Sequence, residues 1–534
     1  MHSMNDYSSA IQLRSDRWSA LRAATTAMAR DPESKGAAQG RKEIEALFDS
    51  LALIEPYWAF PGMSAFDHMR RQFAHGNFED LAFAVNRVTR ALTTGAYRRR
   101  TIPLERDSLD QDEHDDEAML PPEARALAKP YFEVLIVDNV SEQQERWLRS
   151  NVTRMRRTED PFIYEAVVVP SLEDALIAVM FNHNIQAIVV RPGLTLKSKV
   201  DQQILTRYLA RAGGRDEIDA LEPESYGPEL CRMIAKVRPE LDAYLVTERS
   251  VEDIAGLDLG ICRRVFYNQE DFMELHLNIL RGVQARNKSP FFTALVEYSK
   301  QPTGVFHAMP ISRGKSISRS HWIQDMGAFY GPNIFLAETS ATSGGLDSLL
   351  EPHGPIKEAQ ELASRAFGSK QTFFATNGTS TCNKIVVQAL VRPGDIVLVD
   401  RDCHKSHHYG MVLAGAQVVY LDSYPLNEYS MYGAVPLREI KHRLLELKAA
   451  GKLDRVRMLL LTNCTFDGLV YNVERVMEEC LAIKPDLIFL WDEAWFAFAR
   501  FSPTYRQRTA MNAANTLREK FKSDAHAEAY EAQQ

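Results

Sequence analysis

The chain has 534 residues, 45% hydrophobic and 25% charged, with a formal net charge of −8. That length exceeds what one hydrophobic core serves, so two or three domains are expected, and without a basic block nucleic acid is not an expected partner. No apolar run approaches the roughly 18 residues of a membrane span, and the start "MHSMNDYSSAIQLRSDRW" lacks a basic-then-apolar leader, so a cytoplasmic protein without a membrane partner is expected. From about Ser8 to Arg100 apolar residues recur at helical spacing, as in "DLAFAVNRVTRAL", which predicts several helices. The acidic stretch Glu105 to Ala126, closed by two prolines, reads as a solvated linker.

Beyond the linker, "YFEVLIVD" (131–138), "YEAVVVP" (164–170), "IQAIVVR" (185–191), "DAYLVT" (242–247) and "RRVFY" (263–267) are short strand-like runs separated by helix-like segments. That alternation predicts a parallel sheet covered by helices on both faces, and it resembles a flavodoxin or response-regulator fold. A receiver needs clustered carboxylates after its first strand and a phosphoacceptor after its third. Here Asp138 stands alone and the third run ends in Arg191, so a structural or assembly role is expected.

A second α/β unit begins near Asn287. Its strand-like runs are "QTFFAT" (371–376), "DIVLVD" (395–400), "QVVYLD" (417–422), "VRMLLLT" (456–462) and "DLIFLWD" (486–492). A largely parallel sheet with its ligand at the carboxyl ends of the strands follows.

Three motifs fall at those ends. In "ATNGTSTCNKIVVQAL" (375–390) a strand breaks at Asn377-Gly378 and a helix opens on Thr379, Ser380 and Thr381, which offers hydroxyls, free N–H groups and a helix dipole to a phosphate. An ordinary Ser or Thr N-cap is the plainer alternative. In "VDRDCHKSHHYGMVLAG" (399–415), His404, His407 and His408 stand at i, i+3 and i+4. No carboxylate or cysteine at metal-ligand spacing joins them, and the six cysteines show no CxxC pair, so no metal is expected. One imidazole lying over a planar ligand while the others satisfy hydrogen bonds is the second reading; core and surface histidines are the third. Finally, Asp492 ends a run of large apolar residues in "LIFLWDEAWFAF". A carboxylate there needs a cation or strong donor, and a protonated pyridine nitrogen would serve. A phosphate site, a ring-stacking imidazole and a pyridinium partner are the parts that pyridoxal 5'-phosphate requires.

The stretches "FFATNGTSTCNKIVVQALVRPGDIVLVDRDCHKSHHYGMVLAGAQVVYLDSYPL", "DGLVYNVERV" and "LIFLWDEAWFAFARFSP" resemble the fold-type-I pyridoxal-phosphate decarboxylases of ornithine, lysine and arginine. "EPHGPIKEAQELASRAFG" (351–368) resembles the segment that precedes them in that family. The resemblance implies a helical N-terminal region and linker at 1–128, a flavodoxin-like wing domain at 129–286, and a fold-type-I large domain at 287–534. It places Gly378, Thr379 and Ser380 at the cofactor phosphate, His404 on the ring, Asp492 on its nitrogen, and Ala494 and Trp495 beside it. Asp492 and His404 would be the catalytic pair. It implies decarboxylation of a basic amino acid to an amine that feeds polyamine biosynthesis, by a homodimer or higher homo-oligomer.

Two departures stand out. The family forms an imine through a lysine in a Ser-x-His-Lys motif one strand beyond the aspartate, whereas only Lys520 and Lys522 follow Asp492 here. An incomplete large domain, a fragment of a longer decarboxylase, is therefore expected; a natural short form without the activity is the alternative. In "VFHAMPISRGKSISRS" (305–320), His307 and Pro310 are present but the Gly-His that follows them in the family is not. An aminotransferase or aldolase of the same fold, a cofactor-binding or oligomerising pseudoenzyme, and a metal-dependent hydrolase on the three histidines are the rival readings.

Overall fold

The computed structural model describes residues 10–33, 36–99, 102–105, 129–199, 222–257, 259–267, 272–306, 311–319, 324–339, 345–502 and 505–533. The acidic stretch beyond Glu105, and His307 with Pro310, lie outside them. The chain forms two compact units, Met1–Lys288 and Ser289–Gln534.

The first unit opens with helices α1 (Ala10–Arg30), α2 (Ala37–Ala52), α3 (Met63–His75) and α4 (Phe78–Thr94). Along α4, Leu81, Ala84, Val85 and Val88 repeat at helical spacing and are fully buried. A charged group is buried among these helices. Arg14 donates to both oxygens of Glu55 at 2.7 and 2.8 Å, and Trp18 Nε1 donates to the same carboxylate at 2.7 Å. Five parallel strands follow, β1 (Tyr131–Val137), β2 (Ile163–Val169), β3 (Ile185–Val190), β4 (Asp242–Thr247) and β5 (Cys262–Tyr267), in the order β2-β1-β3-β4-β5. One hydrophobic core runs from Trp18, Phe48 and Phe66 of the helices to Leu135 and Ile188 of the sheet. At the carboxyl edge Asp138 and Arg191 pair with each other at 3.5 Å.

The second unit carries β6 (Ile396–Asp400), β7 (Gln417–Leu421), a small hairpin of β8 (Pro425–Leu426) and β9 (Met431–Tyr432), then β10 (Val456–Thr462) and β11 (Ile488–Asp492). The main sheet is parallel, in the order β11-β10-β6-β7. Successive residues of β6 feed opposite faces: Ile396 and Leu398 join one core, Val397 and Val399 the other. Helices α5 (Thr379–Leu390) and α6 (Lys405–Ala414) cover the second face, and α7 (Ala510–Lys520) packs into the first. Gly410 lets α5 and α6 approach: a Cβ there would sit 3.3 Å from Val387 Cβ and 3.4 Å from Lys384 Cα.

One expected strand is absent. "QTFFAT" pairs with no strand among the described residues, and Phe373 is 74% exposed. Thr372 Oγ1 instead bonds the hydroxyls of Ser364 and Ser369, each at 2.9 Å, which ties this segment to the preceding helix and its end.

Candidate active site

Asp492 closes β11 opposite Thr462 of β10, at the carboxyl edge of the sheet, and is 6% exposed. Its Oδ2 accepts from His407 Nε2 at 2.8 Å and from Asn383 Nδ2 at 3.0 Å; its Oδ1 accepts from Ala494 N at 3.1 Å. Burial pushes this carboxyl upward, but the bonds from His407, Ala494 and Asn383 outweigh it and hold Asp492 below the usual carboxylate value. An ionised carboxylate offers about four acceptor positions, so three protein donors leave one for a further donor.

The donors come from both covering helices. Asn383 lies on α5, one turn after Thr379, and Ser406 and His407 lie in the first turn of α6. All three are buried. Asn383 Nδ2 reaches Ser406 Oγ at 3.1 Å as well as Asp492, which uses both amide hydrogens. Ser406 Oγ can then donate to His404 Nδ1 at 2.8 Å, where Ser406 N also donates at 3.2 Å. His404 is thus the N-cap of α6, with its hydrogen on Nε2, and its ring is exposed. The network links His404 to Asp492 through Ser406 and Asn383. The plain reading of histidines as core and surface residues misses this, and so does the motif reading, which singled out neither Asn383 nor Ser406. A polar Asn inside the apolar run "CNKIVV" was the available signal.

At the start of α5 the N-cap is Gly378, with φ +72° and ψ −174°, and it supplies no side-chain cap. Thr379 and Ser380 therefore occupy the first helical positions with their N–H groups uncapped by a side chain. This differs from the plainer expectation of a hydroxyl N-cap. A Cβ on Gly378 would meet nothing within 4 Å. Ala494 and Trp495 follow Asp492 on the surface; Trp495 is 60% exposed, its ring 5.0 Å from that of Phe466.

Residues 289–522 match the profile of the family described as "Orn/Lys/Arg decarboxylase, major domain". That match spans nearly the whole of the second unit. Among curated relatives, the lysine decarboxylase LdcA of Pseudomonas aeruginosa is 35% identical over 53% of this chain and 39% of its own length. The inducible ornithine decarboxylase of Escherichia coli is 32% identical over 54% of this chain and 39% of its own. The biodegradative arginine decarboxylase of that organism is 31% identical over 42% and 30%. The chain spans about two fifths or less of these relatives.

Other residues of the second unit are accounted for locally. His408 contacts Cys403 Sγ at 3.5 Å and Tyr420 OH at 3.4 Å, so the three histidines face three different partners. Among the described residues no three potential ligands converge on a metal position. Glu493 Oε1 accepts from Asn463 Nδ2 and from Ala510 N, each at 2.8 Å, and so holds the start of α7; burial pushes this carboxyl above its usual value. Lys520 pairs with Glu478 at 2.7 Å and Lys522 with Glu519 at 3.0 Å.

Proposed function

We propose that this protein binds pyridoxal 5'-phosphate in its second unit and serves the decarboxylation of a basic amino acid, lysine, ornithine or arginine, to the corresponding amine. The carrying observation is Asp492, a carboxylate at the sheet's carboxyl edge held ionised by three donors and left with an open acceptor position. The donor set fits the cofactor: uncapped N–H groups and hydroxyls at Gly378, Thr379 and Ser380 for the phosphate, the exposed His404 ring for the pyridine face, Asp492 for the ring nitrogen, and Ala494 and Trp495 alongside. Bound there, the cofactor supplies a cationic ring that withdraws the electron pair left when the substrate carboxylate departs as carbon dioxide. Asp492 holds the proton on that ring nitrogen. His404, with Nδ1 held by Ser406, keeps its ring plane fixed. We place the protein in the cytoplasm as a homodimer or larger homo-oligomer, with its amine product feeding polyamine synthesis.

Carbon dioxide release from lysine, ornithine and arginine, with and without added cofactor, tests the reading. Lysine is the first substrate to assay, since the 35% identical relative is named for it. Cofactor-dependent release from one of the three supports the proposal. Release from none, together with no saturable cofactor binding, refutes it.

A second reading has its own observation. Lys520 and Lys522 are both engaged in ion pairs, which leaves neither amine open to the cofactor. A chain that binds the cofactor reversibly, without catalysis, fits that. Borohydride treatment of the loaded protein separates the two: cofactor fixed covalently to a lysine favours the enzyme, and saturable binding with none fixed favours the binder.

A further inference from the structure

We infer that His407 is a positioning residue whose Nε2–H, with the amide of Asn383, fixes the Asp492 carboxylate for a cationic ring nitrogen. The inference rests on the cofactor reading above and deepens it. His407 is fully buried, and its Nε2 lies 2.8 Å from Asp492 Oδ2. Its Nδ1 is buried with no partner among the described residues. A hydrogen on that atom would be a desolvated donor with nothing to bond, so the ring carries its hydrogen on Nε2 alone. The contact of 3.2 Å between Asn383 Nδ2 and His407 Nε2 is then a meeting of two donors on one acceptor, Asp492 Oδ2, and both amide hydrogens of Asn383 remain assigned.

A histidine kept only for packing has no need to spend its single donor on one carboxylate oxygen and leave its other nitrogen bare. Here the whole hydrogen-bonding output of the ring goes to Asp492. The other titratable groups facing that carboxylate are Cys403, just before α6, and Glu493, the next residue in the chain. Neither a thiol nor a carboxyl supplies a cation, and burial pushes the Cys403 thiol up to about 12 and Glu493 above its usual value. His407 and Asn383 on Oδ2 and Ala494 N on Oδ1 together hold Asp492 ionised, with His407 first among them.

The test compares wild-type protein with H407L and H407Q. Leucine fills similar volume without a donor; the glutamine amide can return an N–H to the place of Nε2. The probe is the reduced conjugate of pyridoxal phosphate and lysine, which binds without an imine, titrated between about pH 3 and 8. Carboxyl 13C shifts of Asp492 in the free protein supply a readout independent of the probe. H407L is expected to bind at least about tenfold more weakly, with the acid limb of binding and the Asp492 titration both moved up by about one pH unit or more, and H407Q to recover most of each. Should H407L not fold, H407N takes its place, its amide being too short to reach Oδ2. Wild-type affinity, pH profile and Asp492 titration in H407L overturn the inference. So does an H407Q protein that folds as wild type yet matches H407L in both readouts. A wild-type protein that ignores the probe counts against the cofactor reading, and the Asp492 titration then decides the role of His407 by itself.

Discussion

Asn383 Nδ2 meets Asp492 Oδ2 at 3.0 Å across 109 residues of sequence, joining the helix that follows Gly378 to the last strand of the sheet. N383L keeps the volume but removes two donors at once, from Asp492 and from Ser406. A stability loss of about 2 kcal/mol is expected in urea unfolding of the second unit. N383D places a second carboxylate against Asp492, and one of the two must take a proton. The raised pKa makes the N383D deficit largest at neutral pH and smaller as pH falls, a trend that parallel melts at pH 5 and pH 7.5 would show.

His404 combines two functions that substitution can separate. As N-cap of α6 it accepts from Ser406 N, so H404A is expected to cost about 1 kcal/mol of stability while H404N retains the cap. Both lose the ring. Cofactor affinity measured by absorbance should therefore fall in both variants, although only H404A melts earlier.

Glu493 titrates in the opposite sense to Asp492. Its pKa is raised by burial, so the protonated form is favoured in the folded state, and stability from this group is full below the unfolded value and declines as pH rises through the folded one. E493Q can keep both donors, Asn463 and Ala510 N, on its carbonyl oxygen. Relative to wild type, E493Q should gain stability as pH is raised from 4 to 7. E493A leaves the two donors unpaired and should lose about 2–3 kcal/mol in chemical denaturation.

Gly378 has φ +72° with ψ near 180°, a region open in practice only to glycine. G378A should lower stability by about 1–3 kcal/mol although its Cβ has room. A larger loss of affinity for the cofactor phosphate than of stability is the expected signature of a phosphate turn. It is read by comparing pyridoxal phosphate with pyridoxal in the wild type and the variant.

The parts of this protein that repeat were legible in the sequence. The β-branched runs became strands because their alternation matches two-sided burial, as in β6, where odd and even residues enter different cores. "QTFFAT" looked the same by composition, but Thr372 found hydroxyl partners on the preceding segment, a side-chain bond that no propensity encodes. Asp492 stood out as a charge at the end of an apolar strand. Its protein partners did not: Asn383 and His407 reach it through the packing of α5 on α6, and sequence spacing within a helix says nothing about a neighbour 85 or 109 residues away. Lys520 and Lys522 stood out only as lysines outside a Ser-x-His-Lys motif, and their glutamate partners are visible only in the structure.

The central claim is that Asp492 holds the ring nitrogen of pyridoxal phosphate, and a titration of wild type and D492N with the reduced cofactor–lysine conjugate at pH 7 tests it most directly. D492N keeps the size of the side chain and one acceptor oxygen but removes the charge that a protonated ring requires. Saturable binding at one conjugate per chain, weakened at least about tenfold in D492N at a temperature where both proteins are folded, is the predicted result. Equal affinity in the two proteins, or no saturable binding in either, would contradict the account.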